Sequence, residues 1–214
     1  MKVAINAIDS AFPRETVTNE DLSGDFPDTS FDQLVERTGV LQRQIAGTEE
    51  TALDFAVRAF ANLTEQGGWS LDDIGAIIFC TQTPDYPITP NACVLHGELG
   101  FERDVPAFDI NLACSGYVYG LQVAQGLILG GVSGQVLLAT GDTYSRLIHP
   151  GDRSTRCLFG DGAAVSLIGP SDGPSGLIDI KCGTAGAEYK RFMVRAGGAR
   201  LPKSAKTSEE FSDR

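Results

Sequence analysis

The chain has 214 residues, of which 42% are hydrophobic, an ordinary proportion for one large domain or two small ones. Its 17 basic and 28 acidic residues give a net charge of −11, which argues against a nucleic-acid partner. Its apolar runs are shorter than the ~20 residues of a membrane-spanning helix, so no membrane association is expected. The five cysteines include no CxxC pair, so we expect no metal site and predict reduced thiols in the cytoplasm.

The N-terminal part of the sequence predicts two strands and two helices. Apolar residues alternate over 2–9, which indicates a first strand. Hydroxyl residues that can cap a helix introduce a short helix over 30–38, which Gly39 ends. A longer helix with one apolar face is predicted over 51–66. The continuous apolar run 74–81 is typical of a strand that is buried on both faces.

A proline-containing loop over 83–87 follows this strand. Thr89 and Pro90 then predict the start of a helix, with Thr89 as the N-cap residue and Pro90 in the first helical position. This helix is expected to end at Leu99 and Gly100.

The stretch 105–131 contains the residue that most needs an explanation, Cys114. The run 105–112 predicts a buried strand, and the almost wholly apolar run that follows the turn at 113–116 predicts a helix buried on all sides. The first turn of a helix has unpaired N–H groups and a partial positive charge. Both favour a thiolate and can hold a developing oxyanion, so Cys114 is the candidate nucleophile.

The remaining sequence predicts three more strands, over 134–141, 159–169 and 176–182. A polar, arginine-containing loop over 142–157 separates the first two. The Gly-Asp-Gly turn at 160–162 is interpreted as a tight bend, because it lacks the spacing of a phosphate-binding loop. Repeated β-α-β units favour an α/β fold with a largely parallel sheet, and the terminal strands are expected to pair antiparallel at its edge.

We predict two parts in the chain, a domain over 1–185 and a basic loop or tail over 186–214. Residues 190–214 include seven basic and three acidic side chains, whereas the chain as a whole is acidic. The simplest interpretation of this tail is a solvated terminal loop.

Four stretches together resemble one family in its order: DTSFDQLVERTGVLQRQI (28–45), ITPNACVLHGELG (88–100), PAFDINLACSGYVYGL (106–121) and DRSTRCLFGDGAA (152–164). The chain is similar to the N-terminal portion of β-ketoacyl-acyl-carrier-protein synthase III, a condensing enzyme of the thiolase fold. The resemblance implies a thiolase-like α/β fold with a mixed, mostly parallel five-stranded sheet and a buried central helix. From the resemblance we expect the second, duplicated half of that fold to be absent from this chain.

The resemblance also implies the chemistry of Cys114. This residue would take an acyl group from a thioester of coenzyme A or acyl carrier protein. A malonyl thioester would then lose CO2 and attack the acyl-cysteine, a decarboxylative Claisen condensation that serves fatty acid or polyketide biosynthesis. The family implies a homodimer and no cofactor besides the thioester substrates.

The family also uses a histidine and an asparagine of the second half. The two histidines here are His96, which is interpreted as structural, and His149, which lies in the arginine-containing loop and is not assigned as a base. We therefore expect that Cys114 can accept an acyl group but that the chain alone does not complete the condensation. The alternatives are a catalytically incomplete partner subunit or fragment, and an acyltransferase that passes the acyl group to an alcohol or amine without decarboxylation.

The resemblance assigns Thr29, Arg37 and Arg153 to substrate binding, the two arginines at the mouth of the pantetheine tunnel. A guanidinium suits a phosphate or an adenine. The family often has a tryptophan at the position of Gln33, and its loss favours an acyl group delivered on a carrier protein. An acidic carrier protein would need a basic patch, or else these arginines are solvated loop charges. The candidate residues for the patch are Arg37, Arg43, Arg146, Arg153 and Arg156.

Two further positions are expected to shape the acyl pocket. Thr89 stands where the family commonly has a phenylalanine that closes the partner's acyl tunnel, so we expect tolerance of longer or branched acyl groups. Phe159 is expected to line the tunnel near Cys114.

Overall fold

The computed structural model describes residues 1–174, 176–204 and 206–207. Contacts divide the chain into two compact units. Unit 1 comprises 1–15, 44–143 and 161–182, and unit 2 comprises 16–43, 144–160 and 183–214 as far as the last range is described. The predicted division into 1–185 and 186–214 stays a prediction, and residues 205 and 208–214 of its second part lie outside the described residues.

The described residues form seven strands and six α-helices. The strands are β1 (Lys2–Ala11), β2 (Glu15–Thr18), β3 (Gln42–Ile45), β4 (Ala76–Cys80), β5 (Ala107–Ile110), β6 (Val136–Asp142) and β7 (Gly162–Ser171). The helices are α1 (Asn19–Ser23), α2 (Phe31–Thr38), α3 (Ala52–Glu65), α4 (Asn91–Leu99), α5 (Gly116–Leu129) and α6 (Arg153–Arg156). Short 3-10 turns lie at Leu71–Asp73, Tyr144–Arg146 and Gly186–Arg191.

The main sheet has five strands in the order β1-β7-β6-β4-β5, and β2 pairs with β3 in a separate two-stranded sheet. Strands β5, β4 and β6 are parallel, whereas β7 is antiparallel to both β6 and β1. Every strand of the sheet except β7 therefore runs in one direction, which confirms the mixed, mostly parallel five-stranded sheet. The antiparallel strand lies inside the sheet and not at its edge, because β1 pairs along its outer side.

The segment 176–182, which was predicted as a strand, forms none, and this prediction was wrong. It makes one backbone hydrogen bond to β1, from Leu177 N–H to the Val3 carbonyl at 2.7 Å. Leu177 and Ile180 pack against the core while Ile178 is 96% exposed. The apolar residues of this segment therefore pack on the core although the segment is irregular. Their alternating spacing resembles that of a strand, which explains the wrong prediction.

The central strand β4 explains why the sheet has two apolar faces. Its residues are all buried, and alternate side chains point to opposite sides. Ile77 and Phe79 join one cluster with the apolar face of α3 and with Leu95 of α4. Ile78 joins a second cluster, which contains the apolar side of α5. The predicted run 74–81 was thus a strand buried on both faces.

Helix α5 is not buried on all sides within the described chain, contrary to the prediction. Leu121, Ala124 and Ile128 are buried against the sheet. Away from this side, Val118 is 41% exposed and Leu129 is 55% exposed. Burial on all sides was predicted because apolar residues occur on every face of this helix. The described residues cover only one face of α5.

Replacement of Ile77 by alanine should strongly destabilise unit 1, because this β4 side chain is fully buried in the cluster that contains the apolar face of α3. We expect the free energy of unfolding to fall by about 2–5 kcal/mol. The matched control is Ile178→Ala, which removes the same atoms from a side chain that is 96% exposed, and should change it by less than about 0.5 kcal/mol. Urea unfolding followed by circular dichroism compares the two, and equal losses would contradict the described core.

Candidate active site

Cys114 lies in the turn between β5 and α5, two residues before the first residue of the helix, Gly116. The turn is closed by a hydrogen bond from Gly116 N–H to the Ala113 carbonyl at 2.7 Å. Cys114 itself is exposed. The strand before it was predicted to be buried, but β5 is an edge strand whose residues are only half-buried. The position at the start of a long helix is as predicted.

The carboxyl ends of the parallel strands gather several polar and thiol groups at one edge of the sheet. Cys80 ends β4, Asp142 ends β6, and Cys114 follows β5. The pairing of β4 with β5 continues one residue beyond β4, because Thr81 N–H donates to the carbonyl of Ile110, the last residue of β5, at 3.1 Å. This edge is where open parallel sheets carry their sites.

Asp142 holds the chain that follows β4. One carboxylate oxygen, Oδ1, accepts from the Thr81 hydroxyl at 3.0 Å and from the Gln82 N–H at 2.7 Å. It also accepts from the N–H and the hydroxyl of Thr83, each at 3.1 Å. Burial raises the pKa of Asp142, and these hydrogen bonds oppose the rise. The loop therefore starts from a fixed point on the neighbouring strand.

Asp109 of β5 caps the helix α4. Its carboxylate oxygens accept from Asn91 N–H at 2.7 Å and from Ala92 N–H at 2.8 Å. The N-cap position belongs to Pro90, so the prediction that Thr89 caps this helix was wrong. Burial raises the pKa of Asp109, while the helix N–H groups lower it. The carboxylate of Asp109 thus caps α4, whereas the sequence predicted the hydroxyl of Thr89 as the cap.

Thr89 is exposed and has a φ of 87°, which non-glycine residues rarely adopt. The loop before it is held by the amide of Asn91, whose Oδ1 accepts from the Asp85 N–H and whose Nδ2 donates to the Asp85 carboxylate, both at 3.0 Å. Ile88 projects from this loop and is 88% exposed. Strain of this kind persists only where the surrounding structure holds the backbone.

The other predicted binding residues all lie in unit 2. Arg37 is exposed in the last turn of α2, and Arg153 is exposed as the first residue of α6. The hydroxyl oxygen of Thr29 is buried and has no hydrogen-bond partner among the described residues. Phe159 is half-buried and stacks on Tyr144, with 5.4 Å between the ring centroids.

Unit 2 is held together by two arginines that the sequence had suggested for a docking patch. Arg43 is only 3% exposed and donates to the carbonyls of Val17 and Cys157 at 3.1 and 2.8 Å. It also donates to Asn19 Oδ1 at 2.6 Å, and burial lowers its pKa. Arg156 pairs with Asp25 at 2.8 Å. Arg43 is therefore structural, and the prediction that it forms part of an exposed patch was wrong.

Both histidines make local hydrogen bonds. His96 Nε2 lies 2.9 Å from the Glu102 carbonyl, consistent with its interpretation as a structural residue. His149 Nδ1 accepts from the Gly151 N–H at 3.1 Å, within the turn before α6. Among the described residues, no group of three or more His, Cys, Asp or Glu side chains is arranged to hold a metal ion. No helix in the same part of the chain is long and apolar enough to cross a membrane.

Comparison with known proteins connects this arrangement to one family. The family model of 3-oxoacyl-[acyl-carrier-protein (ACP)] synthase III matches residues 108–186, which include Cys114. The chain is 37% identical over 207 residues to β-ketoacyl-[acyl-carrier-protein] synthase III of Roseiflexus castenholzii, covering 97% of this chain and 62% of that protein. The corresponding protein of Chlamydia caviae is 37% identical over 210 residues, covering 98% and 62%.

Solved structures give the same result. A 3-oxoacyl-(acyl-carrier-protein) synthase III crystal structure at 2.1 Å resolution superposes with a TM-score of 0.90 and 41% identity, covering 96% of this chain and 61% of that one. The 3-oxoacyl-(acyl-carrier protein) synthase of Burkholderia xenovorans superposes with a TM-score of 0.86 and 33% identity, covering 100% and 61%. The chain is a thiolase-fold relative of β-ketoacyl-acyl-carrier-protein synthase III. It spans about three fifths of the length of these relatives.

Sequence reasoning missed three groups at this site, namely Cys80, Asp109 and Asp142. Cys80 and Asp142 each end a strand on the same sheet edge as Cys114, so their position after an apolar run was a usable signal. Asp109 lies inside the strand β5, and nothing in the local pattern connects it to the start of α4.

Replacement of Asp142 by asparagine should change how stability depends on pH. Burial raises the folded-state pKa of Asp142 above its ordinary value of 3.8, so the folded chain binds this proton more tightly than the unfolded chain. The contribution of Asp142 to stability is then largest at low pH and is lost as the pH rises through the folded-state pKa. The wild-type chain should therefore gain stability relative to Asp142→Asn between about pH 7 and about pH 4, measured by urea unfolding. A constant difference across this range would contradict the described burial of the carboxylate.

Proposed function

We propose that this chain is the cysteine-bearing part of a condensing enzyme of the β-ketoacyl-acyl-carrier-protein synthase III type. The observation that supports this function is the position of Cys114, exposed in the turn that begins α5, at the carboxyl ends of the parallel strands of the sheet. Relatives named for this activity are 37% identical over nearly the whole chain. A priming β-ketosynthase of the R1128 polyketide pathway is also similar in structure, at 29% identity.

In the proposed first step, the Cys114 thiolate attacks the carbonyl carbon of an acyl thioester. A C–S bond to Cys114 forms, the oxygen becomes an oxyanion, and collapse expels coenzyme A or carrier-protein thiolate. The backbone N–H of Cys114, at the start of α5, is proposed as one donor to that oxyanion. The exchange of one thioester for another needs little driving force, so the enzyme's task is to place the carbonyl.

In the proposed second step, a malonyl thioester loses CO2, and the electron pair of the broken C–C bond forms an enolate. The enolate carbon attacks the acyl-cysteine carbonyl, and the Cys114 thiolate leaves, so that the cysteine is regenerated. His96 and His149 both make local hydrogen bonds, so we assign neither of them to this step. We propose that the chain by itself carries the acylation, and that the condensation requires groups beyond those of the described residues.

We propose that the acyl donor binds to the residues that the resemblance assigns to substrate binding. Arg37 and Arg153 are exposed cations that suit the phosphates of coenzyme A or of a carrier-protein pantetheine, and Thr29 and Phe159 complete the proposed binding set. The small, exposed Thr89 supports tolerance of longer or branched acyl groups. A carrier-protein donor is favoured because Gln33 replaces an aromatic stacking residue. The proposal needs no cofactor beyond the thioesters, and it places the enzyme in the cytoplasm as a homodimer.

Acylation of Cys114 is tested by intact mass spectrometry. The chain is incubated with short acyl-coenzyme A and with acyl carrier protein thioesters, and we expect one acyl adduct per chain. Cys114→Ala should abolish the adduct, whereas the control Cys93→Ala, which removes another exposed thiol, should leave it. No adduct from either donor would contradict an enzymatic role and favour an inactive partner subunit.

The fate of the acyl group separates the two enzymatic functions. Release of labelled CO2 from a malonyl thioester, with loss of the adduct, supports condensation. Loss of the adduct to an added alcohol or amine without CO2 release supports the simple acyltransferase. An adduct that persists with every acceptor would show that the chain is the acyl-accepting part alone.

Substitution of Arg153 should weaken binding of the acyl donor without affecting the reaction at Cys114. We expect Arg153→Ala to raise the coenzyme A thioester concentration for half-maximal acylation by about tenfold or more, because a charge-assisted hydrogen bond is lost. The maximal rate should be unchanged. Arg103→Ala, which removes an exposed arginine in unit 1, is the control. An unchanged half-maximal concentration in Arg153→Ala would remove this residue from the binding set.

A further inference from the structure

One buried thiol contacts both sides of the turn that carries Cys114. Cys80 is the last residue of β4 and is 4% exposed. Its Sγ donates to the carbonyl of Leu112 at 3.3 Å. The same Sγ lies against Gly116 so closely that a Cβ at that position would collide with it. Cys80 therefore meets the residue two places before Cys114 and the residue two places after it.

The thiol of Cys80 is well suited to this position. Burial raises its pKa, so it keeps its proton and can donate to the Leu112 carbonyl at neutral pH. The neighbouring carboxylates Asp142 and Asp109 raise the pKa further, by smaller amounts. Cys80 is thus a neutral donor and spacer.

Besides the hydrogen bond from Gly116 N–H to the Ala113 carbonyl within the turn, the contacts that hold the start of α5 lie further along the helix. The Tyr117 hydroxyl lies 3.1 Å from the Ser166 hydroxyl of β7. Gly120 meets Leu138 of β6, where an added Cβ would be 2.6 Å from a side-chain methyl. These contacts fix the helix on the sheet. The Cys80 side chain contacts both ends of the turn, the end next to β5 and the end next to α5.

We propose that Cys80 is a positioning residue for Cys114, and that its thiol sets the geometry of the turn 112–116 through Leu112 and Gly116. The thiol ties the Leu112 carbonyl to β4 and fixes how closely the first residue of α5 approaches that strand. A shift of either end of the turn moves the Cys114 sulfur relative to the N–H groups of the helix start. The catalytic meaning of this positioning rests on the proposed function, whereas the positioning itself is measured without any acyl donor.

The first test measures the reactivity of Cys114 in Cys80→Ala and Cys80→Ser. Iodoacetamide labelling is followed against pH on the peptide that contains Cys114, so that labelling of Cys93 and Cys182 is counted separately. Cys80→Ala should slow labelling of Cys114 by about tenfold and shift its pH profile, because the turn loses its anchor. Cys80→Ser keeps a donor at this position and should stay within about threefold of the wild-type rate.

A purely structural role predicts a different result. Cys80→Ala would then lower the melting temperature, but the folded chain would label at the wild-type rate with the wild-type pH profile. That result, or an equal loss in Cys80→Ser and Cys80→Ala, would overturn the proposal. Cys93→Ala is the control for removal of a thiol elsewhere in unit 1, and its Cys114 labelling should match that of the wild type.

The second test uses the close contact between Cys80 and Gly116. Gly116→Ala places a methyl group at the thiol and should slow Cys114 labelling by about tenfold or more. In Cys80→Ala/Gly116→Ala the added methyl occupies space that the sulfur has left, with the Cβ of residue 80 at 3.8 Å and the Cβ of Leu112 at 3.2 Å. The double variant should therefore recover part of the rate lost in Gly116→Ala. Losses that multiply independently would contradict the proposal, and this variant keeps the test decisive if Cys80→Ala alone does not fold.

The acyl-adduct experiment separates this proposal from the proposed function. If no thioester acylates Cys114 but the Cys80 variants still change iodoacetamide labelling as expected, the function fails and the positioning stands. If acylation proceeds and the Cys80 variants label and acylate at the wild-type rate, the positioning fails and the function stands.

Discussion

The close approach of helix α5 to the central strands is the constraint on which the candidate site depends. Two helical glycines make it possible, because a Cβ at Gly116 would collide with the sulfur of Cys80 and a Cβ at Gly120 with Leu138. Packed interiors transmit small displacements because they contain few voids. The location of Cys114 is therefore decided largely by side chains on β4 and β6, which take no part in the proposed chemistry.

Two half-buried carboxylates, Asp109 and Asp142, hold neighbouring segments at the carboxyl edge of the sheet. Asp109 and Asp142 have no salt-bridge partner among the described residues, and each is satisfied by N–H or hydroxyl donors of a neighbouring segment. Burial of a carboxylate costs free energy, and these hydrogen-bond donors offset only part of that cost. The pKa values of both residues are therefore raised. In return, the start of α4 and the loop after β4 are fixed to adjacent strands.

The sequence predicted best where the signal was local and strong. The run that became β4, the amphipathic helix α3 and the cysteine before α5 all follow from spacing alone. It failed where a distant group decided the outcome. Asp109 displaced Thr89 as the cap of α4, and burial between segments of unit 2 turned Arg43 from a surface charge into an internal donor. The packing of 176–182 imitated a strand because apolar residues cover a core from irregular chain as well as from a sheet.

Positioning alone does not account for the stabilisation that the proposed acyl transfer needs. A charge at an exposed helix end is stabilised by only about 0.3–1 kcal/mol, because water screens it. A preorganised oxyanion donor in a site that excludes water is worth about 2.7–4 kcal/mol. Cys114 is exposed in the described chain, so its helix start acts near the lower of these values until something displaces the water. The acyl chain of the bound donor is itself apolar and excludes water from the part of the turn that it covers. The helix N–H groups that Cys80 holds in place then stabilise negative charge there more strongly. Holding the turn in place and excluding water from it are separate requirements. The side chains at this sheet edge meet only the first.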